Sequence, residues 1–192
     1  MVGKSDVENA TYTLLKSDIN QNIEVRNYDS MVLVSTKMLT NGENKAFRKL
    51  FGYITGDNEG STDIAMTAPV IMGENEKMNK GAEISMTAPV FMNENTDNSV
   101  MSFVMPKDFT LASTPKPTNP DVWVTEVKDY KVAVIQFSGT LSDSNVEEHT
   151  ALLSEWIANN GYVPVSNPVK AGYNGPLTIP MFRRNEVLIE IQ

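Results

Sequence analysis

Apolar and polar positions follow a similar order in the two halves of the chain. Residues 24–28 precede an apolar run that begins at Met31, and residues 126–130 precede a second apolar run that begins at Val132. Runs of this length and composition are typical of β-strands. The pattern therefore predicts one strand hairpin in each half, with the first turn at residues 29–30.

A helical pattern follows each predicted hairpin. Apolar and aromatic residues recur with the i, i+3, i+4, i+7 spacing of one helix face at Phe47, Leu50, Phe51 and Ile54, and at His149, Leu152, Leu153 and Trp156. The pattern predicts helices over residues 43–54 and 143–158, with these faces turned inward. The repeat places His149 where the first half has Phe47.

Further segments complete the predicted sheet. Residues 63–72 and 83–92 have similar sequences with strict alternation, which predicts two strands. Residues 185–191 predict the last strand, and the proline- and glycine-containing stretch 162–180 predicts a surface loop. Strands with one helix per half indicate an α+β fold, a curved antiparallel sheet or partial barrel built from two pseudo-symmetric ββαββ-like halves.

The predicted boundaries give one domain. We expect a flexible N-terminal tail over residues 1–11 and a single domain over residues 12–192. Its halves cover about 12–105 and 121–192, and a proline-containing linker over 106–120 joins them.

Composition narrows the possible partners. The chain has 192 residues and a formal charge of -8, which disfavours binding to nucleic acid. No run is long and apolar enough to insert into a membrane, and the polar N-terminus lacks the apolar core of a signal peptide. We therefore expect a soluble, cytoplasmic protein.

Catalytic motifs are scarce in the sequence. With no cysteine, the chain cannot have a thiolate metal site or a cysteine nucleophile, and it contains neither a glycine-rich phosphate loop nor a GxSxG elbow. We therefore predict a non-catalytic protein. A buried glutamate could still act as a general base or attract a cationic ligand, and the candidates are Glu24, Glu126, Glu186 and Glu190.

Several motifs together resemble the SOUL or haem-binding protein family. They lie at residues 12–16, 23–28, 46–51, 66–70 and 183–187, in the family's order and with similar spacing. The likeness covers nearly the whole chain from the first motif onward. It implies a distorted β-barrel of two pseudo-symmetric halves, and the binding of haem or another tetrapyrrole in a shallow hydrophobic cleft.

The resemblance also implies where that cleft lies. In the family it lies beside the first helix and the loop before the last strand. The corresponding cofactor-binding candidates are Asn44, Phe47, Arg48, Phe51, Gly52, Tyr173, Leu177 and Ile179. Basic side chains of a relative can pair with haem propionates at three of these positions, Asn44, Gly52 and Ile179. This charge contribution is therefore missing here.

His149 is the only histidine and hence the only candidate for an imidazole ligand to iron. Its position on the inward face of the second helix favours the alternative, a hydrogen-bonded core histidine. Removing the side chain should then leave haem affinity nearly unchanged.

Three hypotheses for function follow. The first is a carrier or buffer that binds a haem or porphyrin-type small molecule. The second is a module for lipophilic organic cations, because the duplicated architecture resembles drug-sensing effector-binding domains. The third is an enzyme that acts on tetrapyrroles.

Overall fold

The computed structural model of the protein describes residues 8–39, 42–60, 87–88, 90–93, 99–174 and 178–192. The predicted strand over residues 63–72 and the site candidate Leu177 lie outside the described residues. Strands within residues 83–92 are confirmed in the described part of that segment.

The described strands are β1 (Glu8–Asn9), β2 (Thr13–Asp18), β3 (Ile23–Lys37), β4 (Asn58–Glu59), β5 (Thr87–Ala88), β6 (Val90–Asn93), β7 (Val100–Val104), β8 (Lys116–Pro117), β9 (Val122–Phe137), β10 (Val169–Gly172) and β11 (Asn185–Glu190). The helices are α1 (Glu43–Ile54) and α2 (Asp143–Asn159), and a 3-10 turn spans Pro180–Phe182.

Six antiparallel strands form a closed barrel. They follow the order β3, β7, β6, β10, β11 and β9, and the ring closes because β9 pairs with β3 as well as with β11. Strand β2 pairs with the first part of β3, on the edge that β7 occupies further along. With α1 and α2 on its outer surface, the barrel confirms the predicted α+β fold with a distorted barrel.

The two predicted hairpins are wrong, because β3 and β9 are each one continuous strand and pair with each other. Side-chain alternation slips by one residue in the middle of both strands. Tyr28 and Met31 both face the barrel interior, and so do Tyr130 and Val127. A bend replaces the expected turn. In β9 the bend lies at Asp129, whose φ of 51° is in the left-handed region.

Apolar side chains form one core inside the barrel and two outside it. The interior cluster includes Tyr28, Met31, Val132 and Leu188. One outer cluster lies under α1, and the other lies under α2. The outward and inward faces of the barrel strands are therefore both largely buried, which explains their long apolar runs.

The helix bounds agree with the prediction, and α2 extends one residue further than expected. The inward face of α1 is rotated. Its buried residues are Ala46, Leu50, Tyr53 and Ile54, whereas Phe47 is 37% and Phe51 is 45% exposed. Both sets have helical spacing, so periodicity alone could not distinguish them.

Burial in the two helices shifts the alignment of the apparent repeat by one residue. In α2 the buried residues are Leu153, Trp156 and Ile157, while Leu152 is 47% exposed. By burial, Leu153 rather than Leu152 is the counterpart of Leu50. The internal repeat stays a prediction.

Four short strands fall where none was expected, and two of them are β8, in the predicted linker, and its partner β4. Strand β10 lies within the predicted loop 162–180, and β1 lies within the predicted tail and pairs in parallel with β5. A four-residue strand with a lysine and a glycine has too little alternation to be recognised from sequence. The division into tail, halves and linker stays a prediction.

Candidate functional site

Two stacked aromatic side chains lie on the outward side of α1. The ring centroids of Phe47 and Phe51 are 6.1 Å apart with an angle of 14° between the planes. Phe47 also meets the edge of Phe103 at 5.3 Å. Phe103 of β7 pairs with Val34 of β3 on one side and with Val90 of β6 on the other, so Phe47 lies over β7.

The outer face of β10 continues this surface. The Nζ of Lys170 lies 3.2 Å from Oε1 of Glu43, in the first turn of α1. A Cβ on Gly172 would lie 3.1 Å from Cδ1 of Leu141, just before α2. Strand β10 therefore joins the start of α1 to the segment before α2.

The loop before β11 lies against the same segment. The backbone N–H of Gly139 donates to the carbonyl of Pro180 over 2.9 Å. Exposed apolar side chains of this loop are Ile179, Met181 and Phe182. We call the surface bounded by Phe47 and Phe51 on α1, by the outer face of β10 and by residues 178–183 the α1 groove.

The predicted site residues are only partly brought together. Asn44 and Arg48 are exposed on α1 with Phe47 and Phe51. Gly52 is half-buried on the same helix, where an added Cβ would meet the side chain of Asp57. Ile179 is 53% exposed on the loop side of the groove.

Tyr173 faces the barrel interior instead, because its ring packs against the interior cluster. Its hydroxyl donates to Oε2 of Glu186 over 2.6 Å. Burial and the nearby carboxylate both raise the pKa of Tyr173, so the phenol stays protonated and donates. The hydroxyl of Tyr173 therefore lies in the barrel interior and not in the α1 groove.

Glu186 has the densest set of polar contacts inside the barrel, and its side chain is fully buried. Arg26 donates to both carboxylate oxygens, over 2.9 Å and 3.0 Å. Arg184 donates to Oε1 over 2.7 Å from Nη2 and over 3.1 Å from Nε. Arg184 and Glu186 therefore form a salt bridge inside the barrel.

These contacts determine the charge of Glu186. Burial alone would raise the pKa of the carboxyl, but the hydrogen bonds from Arg26 and the charges of Arg26 and Arg184 together lower it. Glu24 adds a second carboxylate, 2.7 Å from Nε of Arg26. Two guanidinium groups therefore balance two carboxylates, and Glu186 has little attraction left for a ligand cation. Sequence analysis missed Arg26, because its partner is 160 positions away.

His149 is half-buried on α2. Its ring stacks on Phe137 with centroids 4.0 Å apart, and Nδ1 lies 2.7 Å from the carbonyl oxygen of Asn145. These are the contacts of a packed, hydrogen-bonded histidine. Iron ligation by His149 stays a prediction.

The described residues contain neither a metal-binding cluster nor a membrane-spanning helix. In that part of the chain, no cluster of three or more His, Asp or Glu could hold a metal ion. No helix there is long and apolar enough to cross a membrane.

Nearly the whole chain matches one protein family. The sequence model for the SOUL heme-binding protein matches residues 7–190, nearly the full length. The chain therefore belongs to the SOUL haem-binding protein family, a family of binding proteins. No curated protein matches the chain by sequence.

Solved structures share the fold at low identity. A hydrolase from Listeria innocua has a TM-score of 0.58 at 12% identity, with 90% of this chain and 92% of that chain covered. The EcmrR C-terminal domain has a TM-score of 0.60 at 11% identity, with 94% and 98% covered. An uncharacterised conserved protein from Listeria innocua has a TM-score of 0.60 at 10% identity, with 90% and 93% covered. At these identities the likeness concerns the fold alone.

Proposed function

We propose that the protein binds haem or a related tetrapyrrole in the α1 groove and acts as a carrier or buffer. Membership of the SOUL family supports the ligand class. The observation that carries the proposed location is the exposed, nearly parallel pair of Phe47 and Phe51. A flat aromatic surface of this kind fits the face of a planar macrocycle.

The contribution of Phe51 follows from its exposed area. A phenylalanine carries roughly 200 Å2 of surface, so the 45% that Phe51 exposes is roughly 90 Å2, and covering it contributes about 2 kcal/mol. Such contributions must exceed a loss of translational and rotational freedom of several kcal/mol. We therefore expect modest affinity and loose selectivity among porphyrins.

Charged groups beside the aromatic pair suit the carboxylates of the ligand. Lys45 and Arg48 are exposed on α1. Lys49 instead pairs with Asp121 over 2.7 Å, and Lys170 pairs with Glu43. Arg48, three residues before Phe51 on the same helix, would therefore pair with a propionate. Bound haem would also place its iron in the groove.

Titration with hemin and with metal-free protoporphyrin IX tests the proposal. We expect saturable one-to-one binding of both, followed by the Soret band and by tryptophan quenching. Phe51→Ala should weaken both by about ten- to thirtyfold, the equivalent of about 2 kcal/mol.

Leu152→Ala provides the matched control. Leu152 is 47% exposed on α2, so its truncation removes a similar exposed apolar surface from the other helix. Affinity should not change. If neither ligand saturates, or if both variants lose affinity equally, the α1 groove is not the binding site. Analysis of hemin after incubation would detect an enzymatic role in its conversion.

A further inference from the structure

A second cavity lies inside the barrel, separate from the α1 groove. Its volume is about 360 Å3. This falls within the range of about 300–1,000 Å3 that is usual for small-molecule sites. Its apolar walls come from five strands and include Leu33, Phe91, Val100, Val127 and Val169.

The cavity occupies one end of the barrel. Ser35 of β3 and Trp123 of β9 form a backbone pair at this end, and both line the cavity. Arg26, nine residues before Ser35 on the same strand, holds Glu186 at the other end. A separation of nine residues along a strand is roughly 30 Å. The cavity reaches from this end to Met31 and Tyr130, and the ionic cluster lies beyond Tyr28, toward the other end.

Among the described residues that line the cavity, none carries a formal charge. The hydroxyls of Ser35 and Ser102 bond to each other over 2.8 Å and so satisfy one another. A charged ligand in this cavity would lose its hydration without gaining an opposite charge. The walls thus favour a neutral guest.

Tyr130 adds a phenol to the polar groups of the lining, which also include the indole of Trp123 and the hydroxyl of Thr125. The ring packs against the interior cluster beside Tyr28, at a centroid distance of 6.2 Å. Within the described part of the chain, its hydroxyl has no hydrogen-bond partner. Burial and the charge of Glu190 raise the pKa of Tyr130, so the phenol remains neutral at physiological pH. A neutral phenol can both donate and accept a hydrogen bond.

We propose that this barrel-end cavity is a second binding site, for a small neutral apolar molecule that bears one hydrogen-bonding oxygen or nitrogen. Apolar walls without charge select the neutral guest, and Tyr130 is the polar partner. The dicarboxylate tetrapyrrole of the α1 groove does not suit the cavity, because the walls offer its carboxylates no cation. The two sites should therefore bind independently.

The probe 1-aminoanthracene tests this site, because it is neutral, apolar and brighter in apolar surroundings. We expect saturable one-to-one binding to the full chain. Thr125→Phe, at the exposed mouth, should weaken binding by tenfold or more by obstructing it. Tyr130→Phe, which keeps the ring, should weaken binding by about fivefold, the effect of one hydrogen bond.

Two controls locate the site. Thr13→Phe makes the same substitution at an exposed position on β2, outside the cavity, and should leave probe affinity unchanged. Phe51→Ala should also leave it unchanged, although it weakens porphyrin binding. Circular dichroism and the urea midpoint establish that each variant is folded.

Three results would overturn the proposal. They are no saturable binding of 1-aminoanthracene, unchanged affinity in folded Thr125→Phe, and equal affinity for the anion 8-anilinonaphthalene-1-sulfonate. None of these outcomes depends on hemin binding, so the α1 groove and the barrel-end cavity can fail separately.

Discussion

Replacing Glu186 by glutamine should strongly destabilise the fold. The change keeps the size of the side chain but removes the charge that Arg26 and Arg184 surround. Arg26 is 2% exposed and would remain charged without its buried partner. Removing one member of a buried ion pair costs about 3–5 kcal/mol. Glu186→Gln should therefore lower the free energy of unfolding by this amount.

Glu24→Gln is the matched control. Glu24 contacts the same Arg26, over 2.7 Å, but is 31% exposed, so water can replace it. An exposed ion pair contributes about 0–1 kcal/mol. Urea titration followed by tryptophan fluorescence measures both variants, with the denaturant slope checked for each. Losses within about 1 kcal/mol of each other would refute the argument, because burial is the main difference between the two carboxylates.

A pH series separates charge from packing. Folding lowers the pKa of Glu186 below its ordinary value of 4.5. The ionised carboxylate therefore stabilises the fold above that value, and this stabilisation is lost as the pH falls through the folded-state pKa. The gap between wild type and Glu186→Gln should stay constant between about pH 5 and pH 7 and shrink below it. A gap that does not depend on pH would mean that the glutamine merely packs badly.

Four other substitutions have effects whose direction the structure predicts. Tyr53→Phe removes a buried 2.8 Å hydrogen bond to the carbonyl of Pro115 and should cost about 1–3 kcal/mol of unfolding free energy in urea titration. Gly52→Ala should raise the thermal midpoint, because alanine is about 1 kcal/mol more favourable than glycine inside a helix and the side chain of Asp57, which the new Cβ would meet, can move. Gly161→Ala should lower the thermal midpoint, because Gly161 has a φ of 75°. His149→Ala should lower the urea midpoint through lost stacking but leave hemin affinity within about twofold of wild type, and a tenfold loss specific to hemin would identify an iron ligand.

Sequence patterns predicted the helices well and the central strands poorly. Both helices begin at the expected residue, because a polar segment ends and helical spacing starts at each. The prediction of two short strands was wrong where the side-chain alternation slips beside Asp129. A bend inside a long strand and a turn between two short strands have the same local sequence. Only the pairing of Tyr28 with Tyr130, which is a long-range property, distinguishes them.

At the candidate site, too, the sequence could not predict which side chains are exposed. Family motifs pointed to Phe47 and Phe51 on α1, but their exposure depends on a rotation of α1 that either apolar set would permit. Tyr173 was expected in the cleft because a phenol suits a rim. Its hydroxyl turns inward because Glu186 is on the neighbouring strand, where Gly172 pairs with Asn185.

The balance of charge inside the barrel links these observations to the choice between ligands. A lone buried Glu186 would favour an organic cation and would support the cation-binding hypothesis, which rests on the resemblance to effector-binding domains. With Arg26 and Arg184 bonded to the carboxylate, placing a cation there would require the displacement of a guanidinium group from a buried site. The uncharged walls of the barrel-end cavity impose no such cost on a neutral molecule. We therefore expect the α1 groove to select planar, partly anionic ligands and the barrel-end cavity to select neutral ones. A cation such as tetraphenylphosphonium should bind at neither site.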